Sequence, residues 1–234
     1  MRIRIAELNI EIFNQYPLLQ TLCKGYFADF GVPDISVRVS DAEIAAEIKN
    51  AKERVSAELA EVSCAYRAIA MQLPRFDAFV LHAAVIECDG KAYAFSAPSG
   101  TGKSTHISLW QKAFGSRVRV INGDKPILRL IDGKWYAFGT PWCGKERISF
   151  NAAAPLAAIC FLQRAAQNSI APIDDARAVN RLFYQILMPS EEEQALRFLD
   201  LLDKVAGTVP FYQLNCNISP EAALVAYRGM QEGN

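Results

Sequence analysis

The feature that most constrains the fold is a Gly-rich segment ending in a lysine and a serine, Ala97-Pro-Ser-Gly-Thr-Gly-Lys-Ser104. A strand pattern at 91–96 precedes it, and a helical pattern follows it. Gly100 and Gly102 permit the turn that points consecutive backbone N–H groups at one anion, where the following helix adds its partial positive charge. This arrangement predicts an α/β protein with a phosphate loop.

Each fixed position of the segment has a chemical reason. It fits the pattern G-x-x-x-x-G-K-[ST], except that Ala97 replaces the first glycine. We expect Lys103 to neutralise the β and γ phosphates of ATP and Ser104 to bind Mg²⁺. A Gly-rich turn without a ligand is the alternative, although such a turn needs neither the lysine nor the hydroxyl. The expected nucleotide-binding residues are Pro98, Ser99, Gly100, Thr101, Gly102, Lys103, Ser104 and Thr105.

Two Asp-Gly pairs predict two-residue hairpin turns. Asp89-Gly90 joins strands at 79–88 and 91–96, and Asp132-Gly133 joins strands at 127–131 and 135–138. Hairpins pair strands antiparallel, so we expect a mixed, substantially antiparallel sheet. Ordinary nucleotide-binding P-loops are instead entered from a parallel βαβ unit.

The flanking regions carry further helix and strand patterns. Ser40 and Glu43 form a capping pattern that opens a helix ending before Pro74. We expect two units, an N-terminal one at 1–75 and a catalytic one at 76–234. The other expected elements are strands around Ile3–Leu8 and Ile35–Val39, strands at 157–162 and 211–216, helices at 176–187 and 191–205, and a last helix from Ser219-Pro220.

Composition excludes several classes of function. The 234 residues carry 25 basic and 25 acidic side chains, so no net charge favours nucleic acid or a membrane surface as a partner. The apolar segments fall short of the roughly 20 residues that span a bilayer, and we expect no signal peptide. The six cysteines form no C-x-x-C pair, which favours reduced thiols and a cytoplasmic protein. Cys143 lies in a loop with Gly and Pro, where we expect it to be accessible.

A carboxylate at a strand end is the second candidate motif. The strand pattern at 118–122 ends in Asn122-Gly-Asp124. Asp124 at this point could hold Mg²⁺ or accept the proton of an attacking hydroxyl. The alternative is a plain turn, because Asn-Gly-Asp forms turns without any ligand.

Together these motifs resemble the HPr kinase/phosphorylase family, whose phosphate loop is similar to that of phosphoenolpyruvate carboxykinases. The resemblance covers about 79–162 and rests on Leu81-His82-Ala83, Pro98–Thr105 and Gly123-Asp124. It implies a carboxykinase-like fold, Mg-ATP as cofactor and a homo-oligomer. Two departures are visible, since HPr kinases usually carry two adjacent aspartates at Gly123-Asp124 and often a glutamate at Thr105.

The resemblance also implies roles for other residues. His82 would lie beside the loop and hydrogen-bond Asp124 or a phosphate, whereas a core histidine is the alternative. Because a kinase must place positive charge around the transferring group, Lys125, Lys145 and Arg147 are candidates for contacts with the γ phosphate or a substrate anion. The alternative for each is a solvated surface charge.

The function expected from these patterns is an ATP-dependent kinase that transfers the γ-phosphoryl group to a serine-like hydroxyl of a peptide, protein or small metabolite. Asp124, His82 and Lys103 are the expected catalytic residues, and Ser104 and Asp124 the expected metal ligands. Two alternatives stay open: carboxykinase-type phosphoryl transfer, and a nucleotide-binding interaction module with little turnover.

Overall fold

The computed structural model describes residues 1–144 and 148–232 of the chain. Short 3₁₀ turns lie at Lys24–Tyr26, Leu73–Phe76 and Gly115–Arg117. Within the described ranges, no helix combines the length and apolar character needed to cross a bilayer. The helices and strands in chain order are β1 (Arg2–Ile5), β2 (Leu8–Phe13), α1 (Pro17–Leu22), β3 (Ile35–Arg38), α2 (Asp41–Asn50), α3 (Ala57–Ala70), β4 (Ala78–Val80), β5 (Ala83–Cys88), β6 (Lys91–Ser96), α4 (Lys103–Phe114), β7 (Val118–Asn122), β8 (Ile127–Ile131), β9 (Lys134–Phe138), β10 (Ala153–Arg164), β11 (Ser169–Pro172), α5 (Asp175–Phe183), α6 (Glu192–Thr208), β12 (Phe211–Cys216) and α7 (Glu221–Glu232).

A large mixed sheet carries the central part of the fold. Its strands follow the order β4-β8-β9-β10-β6-β5-β7, and β12 pairs with both β10 and β11. Strand β10 runs parallel to β6 and β12, and its first residues pair antiparallel with β9. The remaining pairings of the described strands in this sheet are antiparallel. The predicted α/β class with a mixed sheet is therefore confirmed.

Both predicted hairpins are present. Asp89 and Gly90 have φ values of 52° and 77°, and Asp132 and Gly133 have 48° and 75°. Two consecutive left-handed residues match the twist of the flanking strands, which is why Asp-Gly favours this turn. The first hairpin pairs β5 with β6, so β6 delivers the chain directly into the Gly-rich loop, defined here as Ala97–Gly102.

The prediction of a single helix from Ser40 to Pro74 is wrong, because the chain forms two helices there. The capping box of Ser40 and Glu43 starts α2 as predicted, but Ala51 is extended and ends it. Ser56 then caps α3 by accepting from the Leu59 amide. A second capping serine inside the apolar pattern allowed the chain to turn, and α3 packs back on α2.

The strand expected at 79–88 is also interrupted. The amides of Leu81 and His82 leave the sheet ladder and donate to Pro126 O (3.1 Å) and Gln185 O (2.7 Å). This break between β4 and β5 fixes the position of His82. Two other boundaries differ: β10 extends well beyond the predicted 157–162, and α5 ends at Phe183 rather than at 187.

The N-terminal region forms a separate three-stranded sheet, β1-β2-β3. The single strand expected at Ile3–Leu8 is two strands, because Ala6 and Glu7 form a turn with φ values of 52° and 61°. This sheet and the helices α1–α3 share a hydrophobic cluster with Ile127, Phe138 and Trp142 of the rest of the chain. The division at residue 75 stays a prediction.

Candidate active site

The Gly-rich loop joins the end of β6 to the start of α4. Gly100 and Gly102 have φ values of 79° and 121°, which an L-residue rarely adopts. Ala97 has no such need: the non-glycine residues with positive φ in the described chain are Ala6, Glu7, Asp77, Asp89 and Asp132. The alanine at the first position of the motif therefore causes no backbone strain.

Lys103 is the first residue of α4, and its side chain is 8% exposed. Its Nζ atom donates to Ala97 O (3.0 Å) and lies 2.9 Å from His82 Nε2. Burial lowers the pKa of Lys103, and the charge of Asp124 partly opposes that shift. A buried positive charge beside the positive end of a helix dipole is electrostatically unfavourable, and a bound anion would stabilise it.

His82 is held between three side chains. Its Nδ1 atom lies 2.9 Å from Gln185 Oε1, and its Nε2 atom lies 3.2 Å from Asp124 Oδ1. Nδ1 must carry a hydrogen, because the amide oxygen of Gln185 only accepts. At Nε2, the ammonium group of Lys103 and the carboxylate of Asp124 compete. A charged Lys103 donates to a neutral ring, whereas Asp124 accepts only from a protonated one.

Asp124 follows β7, and Asn122 fixes its backbone. The amides of Asp124 and Lys125 both donate to Asn122 Oδ1, at 2.8 and 2.7 Å. Asn122 is fully buried, and its Nδ2 donates to Thr140 O (3.0 Å). The turn alternative was thus correct for the backbone, but this turn also directs the carboxylate to His82.

The charge on Asp124 is stabilised in the site. Burial raises the pKa of Asp124, but the hydrogen bond from His82 and the charge of Lys125 outweigh it, so the net pKa lies below the ordinary value. Lys125 Nζ lies 3.3 Å from Asp124 Oδ2 and 5.1 Å from the centre of the Tyr66 ring. A carboxylate with a lowered pKa is a good ligand for a hard cation. It is also only a weak base, because its charged form is stabilised.

A second loop, which contains Cys143 and Gly144, packs against Asp124. The Cα of Gly144, with φ 75°, approaches so closely that an added Cβ would meet Asp124 Cβ at 3.1 Å. A Cβ on Gly123 would meet Cys143 O at 3.2 Å. Cys143, in the same loop, is half-buried. Lys145 and Arg147, the other candidate cations, lie outside the described residues.

The other expected loop residues are exposed or half-buried. Ser104 is half-buried and Thr105 exposed, and neither hydroxyl hydrogen-bonds another group within 1–144 and 148–232. The guanidinium of Arg164 donates to Thr101 O (3.0 Å) and Gly100 O (2.5 Å). Pro98, Ser99 and Gly100 are exposed, and Thr101 and Gly102 are half-buried.

Ser104 and Asp124 are the candidate oxygen ligands for Mg²⁺ in this site. No group of three or more His, Cys, Asp or Glu side chains in the described chain is placed to hold a metal by itself. Mg²⁺ is commonly bound by one or two carboxylates plus the phosphates of a nucleotide. The hydroxyl of Ser104 and the carboxylate of Asp124 are the oxygen donors that fit this chemistry.

His106 lies in the interior, where its ring packs against Phe95 and Trp110. It is 2% exposed, and its Nε2 accepts from Trp110 Nε1 at 2.9 Å. Burial lowers the pKa of His106 to about 3, so the ring is neutral at physiological pH.

Two clefts flank the Gly-rich loop. The Arg181 cleft, about 390 Å³, is lined by Ala97, Pro98, Arg164, Arg181, Tyr184 and Gln185, among others. The Thr105 cleft, about 310 Å³, is lined by Gly102, Thr105, His106, Leu109, Arg164 and Ile218, among others. A larger cleft of about 620 Å³ between β11, β12 and α6 contains none of the predicted site residues.

Sequence patterns missed several residues of this site. Gln185 lies 103 residues from His82 in sequence and carries no motif. Tyr66 reaches the site from α3, where it fits an ordinary helical apolar pattern. Asn122 was visible as a turn residue, but its function as the support of Asp124 required the contact with Thr140.

Comparisons with known proteins show a family and a distant relation of folds. No curated protein matches the chain. The HPr(Ser) kinase/phosphatase from Coxiella burnetii is similar over 66% of this chain and 97% of its own, with a TM-score of 0.36 and 9% sequence identity. A TM-score this low marks only a distant relation of folds. The model of the family described as SynChlorMet cassette protein ScmC matches residues 44–221. This match covers well over half of the sequence, and the chain therefore belongs to the ScmC family of SynChlorMet cassette proteins.

Proposed function

We propose that the protein binds Mg-ATP at the Gly-rich loop and transfers the γ-phosphoryl group to a hydroxyl. The observation that carries this proposal is the buried ammonium group of Lys103, at the N-terminus of α4, in contact with His82, which in turn contacts Asp124. A turn that served only to connect β6 with α4 would have no need for this cluster.

Phosphate binding follows from the groups at the start of α4. The loop amides and the helix N-terminus favour an anion, and Lys103 supplies a full charge. In the free protein Lys103 donates to Ala97 O and lies against His82. The β and γ phosphates would take over these contacts of Lys103.

The metal and the acceptor would meet at Asp124. Mg²⁺, held by Ser104, Asp124 and phosphate oxygens, would neutralise charge on the transferring group. Asp124 would also orient the acceptor hydroxyl, since a weak base can do so without taking the proton early. Phosphoryl transfer passes through a loose transition state, in which positioning and charge matter more than strong base catalysis.

For the nucleotide, we place the γ phosphate near Lys103 and Asp124 and the nucleoside in the Thr105 cleft. Gly102 and Thr105, at the start of α4, line that cleft. The apolar side chains of Leu109 and Ile218 give this Thr105 cleft a surface on which a flat base can rest.

The test is Mg-dependent release of ADP from ATP with a panel of acceptors. The panel contains hydroxyl compounds, serine peptides and oxaloacetate, whose use would favour the carboxykinase-type alternative. We expect Mg-dependent transfer to a hydroxyl. Tight ATP binding without transfer to any acceptor would favour the interaction-module alternative, and no ATP binding would contradict the proposal. A cytoplasmic location and a homo-oligomer stay predictions.

A further inference from the structure

Two arginines, Arg164 and Arg181, line the Arg181 cleft. Arg164 donates to the carbonyls of Thr101 and Gly100. Arg181 donates to the neutral Gln213 side chain and lies 5.4 Å from the centre of the Phe161 ring. No carboxylate forms an ion pair with either guanidinium group in the part of the chain that the structure describes. Two such cations around one cleft favour an anionic ligand.

The position of Arg181 is fixed by its neighbours. The Nε2 atom of Gln213 donates to Phe161 O (3.1 Å) and Leu214 O (3.3 Å), which leaves Oε1 to face Arg181. Arg181 is half-buried on α5. A guanidinium group held in this way loses little conformational entropy when it binds a planar carboxylate.

The cleft adjoins the candidate active site through one residue. Gln185 lines the cleft and also contacts His82 Nδ1. Ala97, Pro98 and Thr101 of the Gly-rich loop also line the cleft. A ligand here would lie beside the loop and, across Gln185, near His82. At the mouth of the cleft, Tyr184 is 81% exposed, a large aromatic ring that no core packing requires.

We propose that the Arg181 cleft binds the phosphoryl acceptor, and that this acceptor is an alcohol with a carboxylate near its hydroxyl. The inference rests on the proposed kinase function and adds the chemical class of its substrate. The carboxylate pairs with Arg181, and the hydroxyl points past Gln185 toward Asp124. The volume, about 390 Å³, suits a small hydroxy acid or a few residues of a peptide.

The reaction balances without a further reactant. The hydroxyl oxygen of the acceptor forms a bond to the γ phosphorus of ATP, and the bond from that phosphorus to the β–γ bridging oxygen breaks. ADP leaves with the electron pair. The hydroxyl proton passes to Asp124 and then to solvent.

The experiment compares acidic acceptors with uncharged acceptors of the same shape, using the full chain and γ-labelled ATP. One pair is glycerate and glycerol, and the other is the acetylated, amidated peptides Glu-Ser-Glu and Gln-Ser-Gln. We expect at least one acidic acceptor to exceed its uncharged counterpart about tenfold in kcat/KM, the effect of one charge-assisted hydrogen bond. The pair that shows the preference distinguishes a small hydroxy acid from an acid-flanked serine.

Variants of α5 test whether Arg181 causes the preference for acidic acceptors. Arg181→Gln should reduce the ratio of acidic to uncharged acceptor toward one while Mg-ATP affinity stays unchanged, and Arg181→Lys should retain part of it. Arg177→Gln, an exposed change on the same helix, is the matched control and should leave the ratio intact.

Three results would overturn the inference: equal use of acidic and uncharged acceptors, a preference that survives in Arg181→Gln, or transfer to none of the four by protein that binds Mg-ATP. Absence of Mg-ATP binding would instead overturn the proposed function.

Discussion

At the scale of single residues, the candidate site depends on side chains that hold other side chains. Asn122 fixes the backbone of Asp124, and Gln185 sets the hydrogen on Nδ1 of His82. These supporting contacts keep His82 within hydrogen-bond distance of both Lys103 and Asp124 before any ligand arrives. Such positioning reduces the reorganisation that a reaction would otherwise require.

Replacing Asp124 by asparagine should separate transfer from binding. We expect Asp124→Asn to retain much of the ATP affinity, because the loop amides and Lys103 remain. Transfer should fall by roughly 10²–10⁴-fold, the usual contribution of a positioned acid–base group. The measurement is single-turnover transfer from labelled ATP, with ATP affinity determined on the same preparation. Transfer at the parent rate would assign this role to another group.

Cysteine labelling should report on the loop over Asp124. Of the six cysteines, Cys143 and Cys216 are half-buried and the others buried. Burial raises the pKa of Cys216, which lowers its reactive thiolate fraction. We therefore expect a thiol reagent to label Cys143 first, and Mg-ATP to slow that labelling. Mass spectrometry of the modified peptides is the measurement, with Cys216 as internal control; Cys143 unlabelled before denaturation would contradict the prediction.

At the scale of elements, the sequence predicts turns and helix caps correctly where neighbouring residues alone determine them. The Asp-Gly hairpins and the capping box at Ser40 follow from such rules and were predicted correctly. The turn at Ala6-Glu7 was missed, because neither residue is typical of left-handed backbone.

The rest of the site depends on contacts between residues that are far apart in sequence. The break in the strand at Leu81-His82 depends on carbonyls of Pro126 and Gln185, which no local pattern reveals. That His82 lies close to the Gly-rich loop was predicted from the family resemblance instead.

The turn after β9 tolerates no side chain. A Cβ on Gly139 would lie 1.8 Å from Phe150 O and 2.8 Å from Ile121 O. Because both atoms are backbone, Gly139→Ala should lower the free energy of unfolding by about 1–3 kcal/mol or more. Gly207→Ala in α6 is the matched control: its Cβ meets nothing within 4 Å, and it should raise stability by about 0.5–1 kcal/mol. Denaturant unfolding of both variants checks this, and equal stability would contradict it.

At the scale of the whole molecule, the N-terminal region contributes to the candidate site and to the main core. Tyr66 of α3 lies 5.4 Å from the Trp142 ring, centre to centre. Arg129 donates to Ala6 O (2.6 Å), and Tyr26 hydrogen-bonds Ser149 (2.8 Å). The loop that covers Asp124 therefore packs against residues that precede position 75.

Removal of residues 1–75 should consequently unfold the remainder. Ile127, Phe138 and Trp142 are 1%, 6% and 7% exposed and would lose part of their cover. We expect the 76–234 fragment to show no cooperative thermal transition by circular dichroism, while the full chain does. A cooperative transition in the fragment would mean that residues 76–234 fold independently.

The most direct test of the central claim is calorimetric titration of Mg-ATP into the parent protein, Lys103→Met and Lys112→Met. Lys112 lies exposed in the last turn of α4, the helix that Lys103 begins, so its variant controls for the loss of a lysine. We predict that the parent and Lys112→Met bind alike, and that folded Lys103→Met binds about tenfold to a hundredfold more weakly, the effect of one charged hydrogen bond. Unchanged binding by folded Lys103→Met would contradict the assignment of the Gly-rich loop as the nucleotide site.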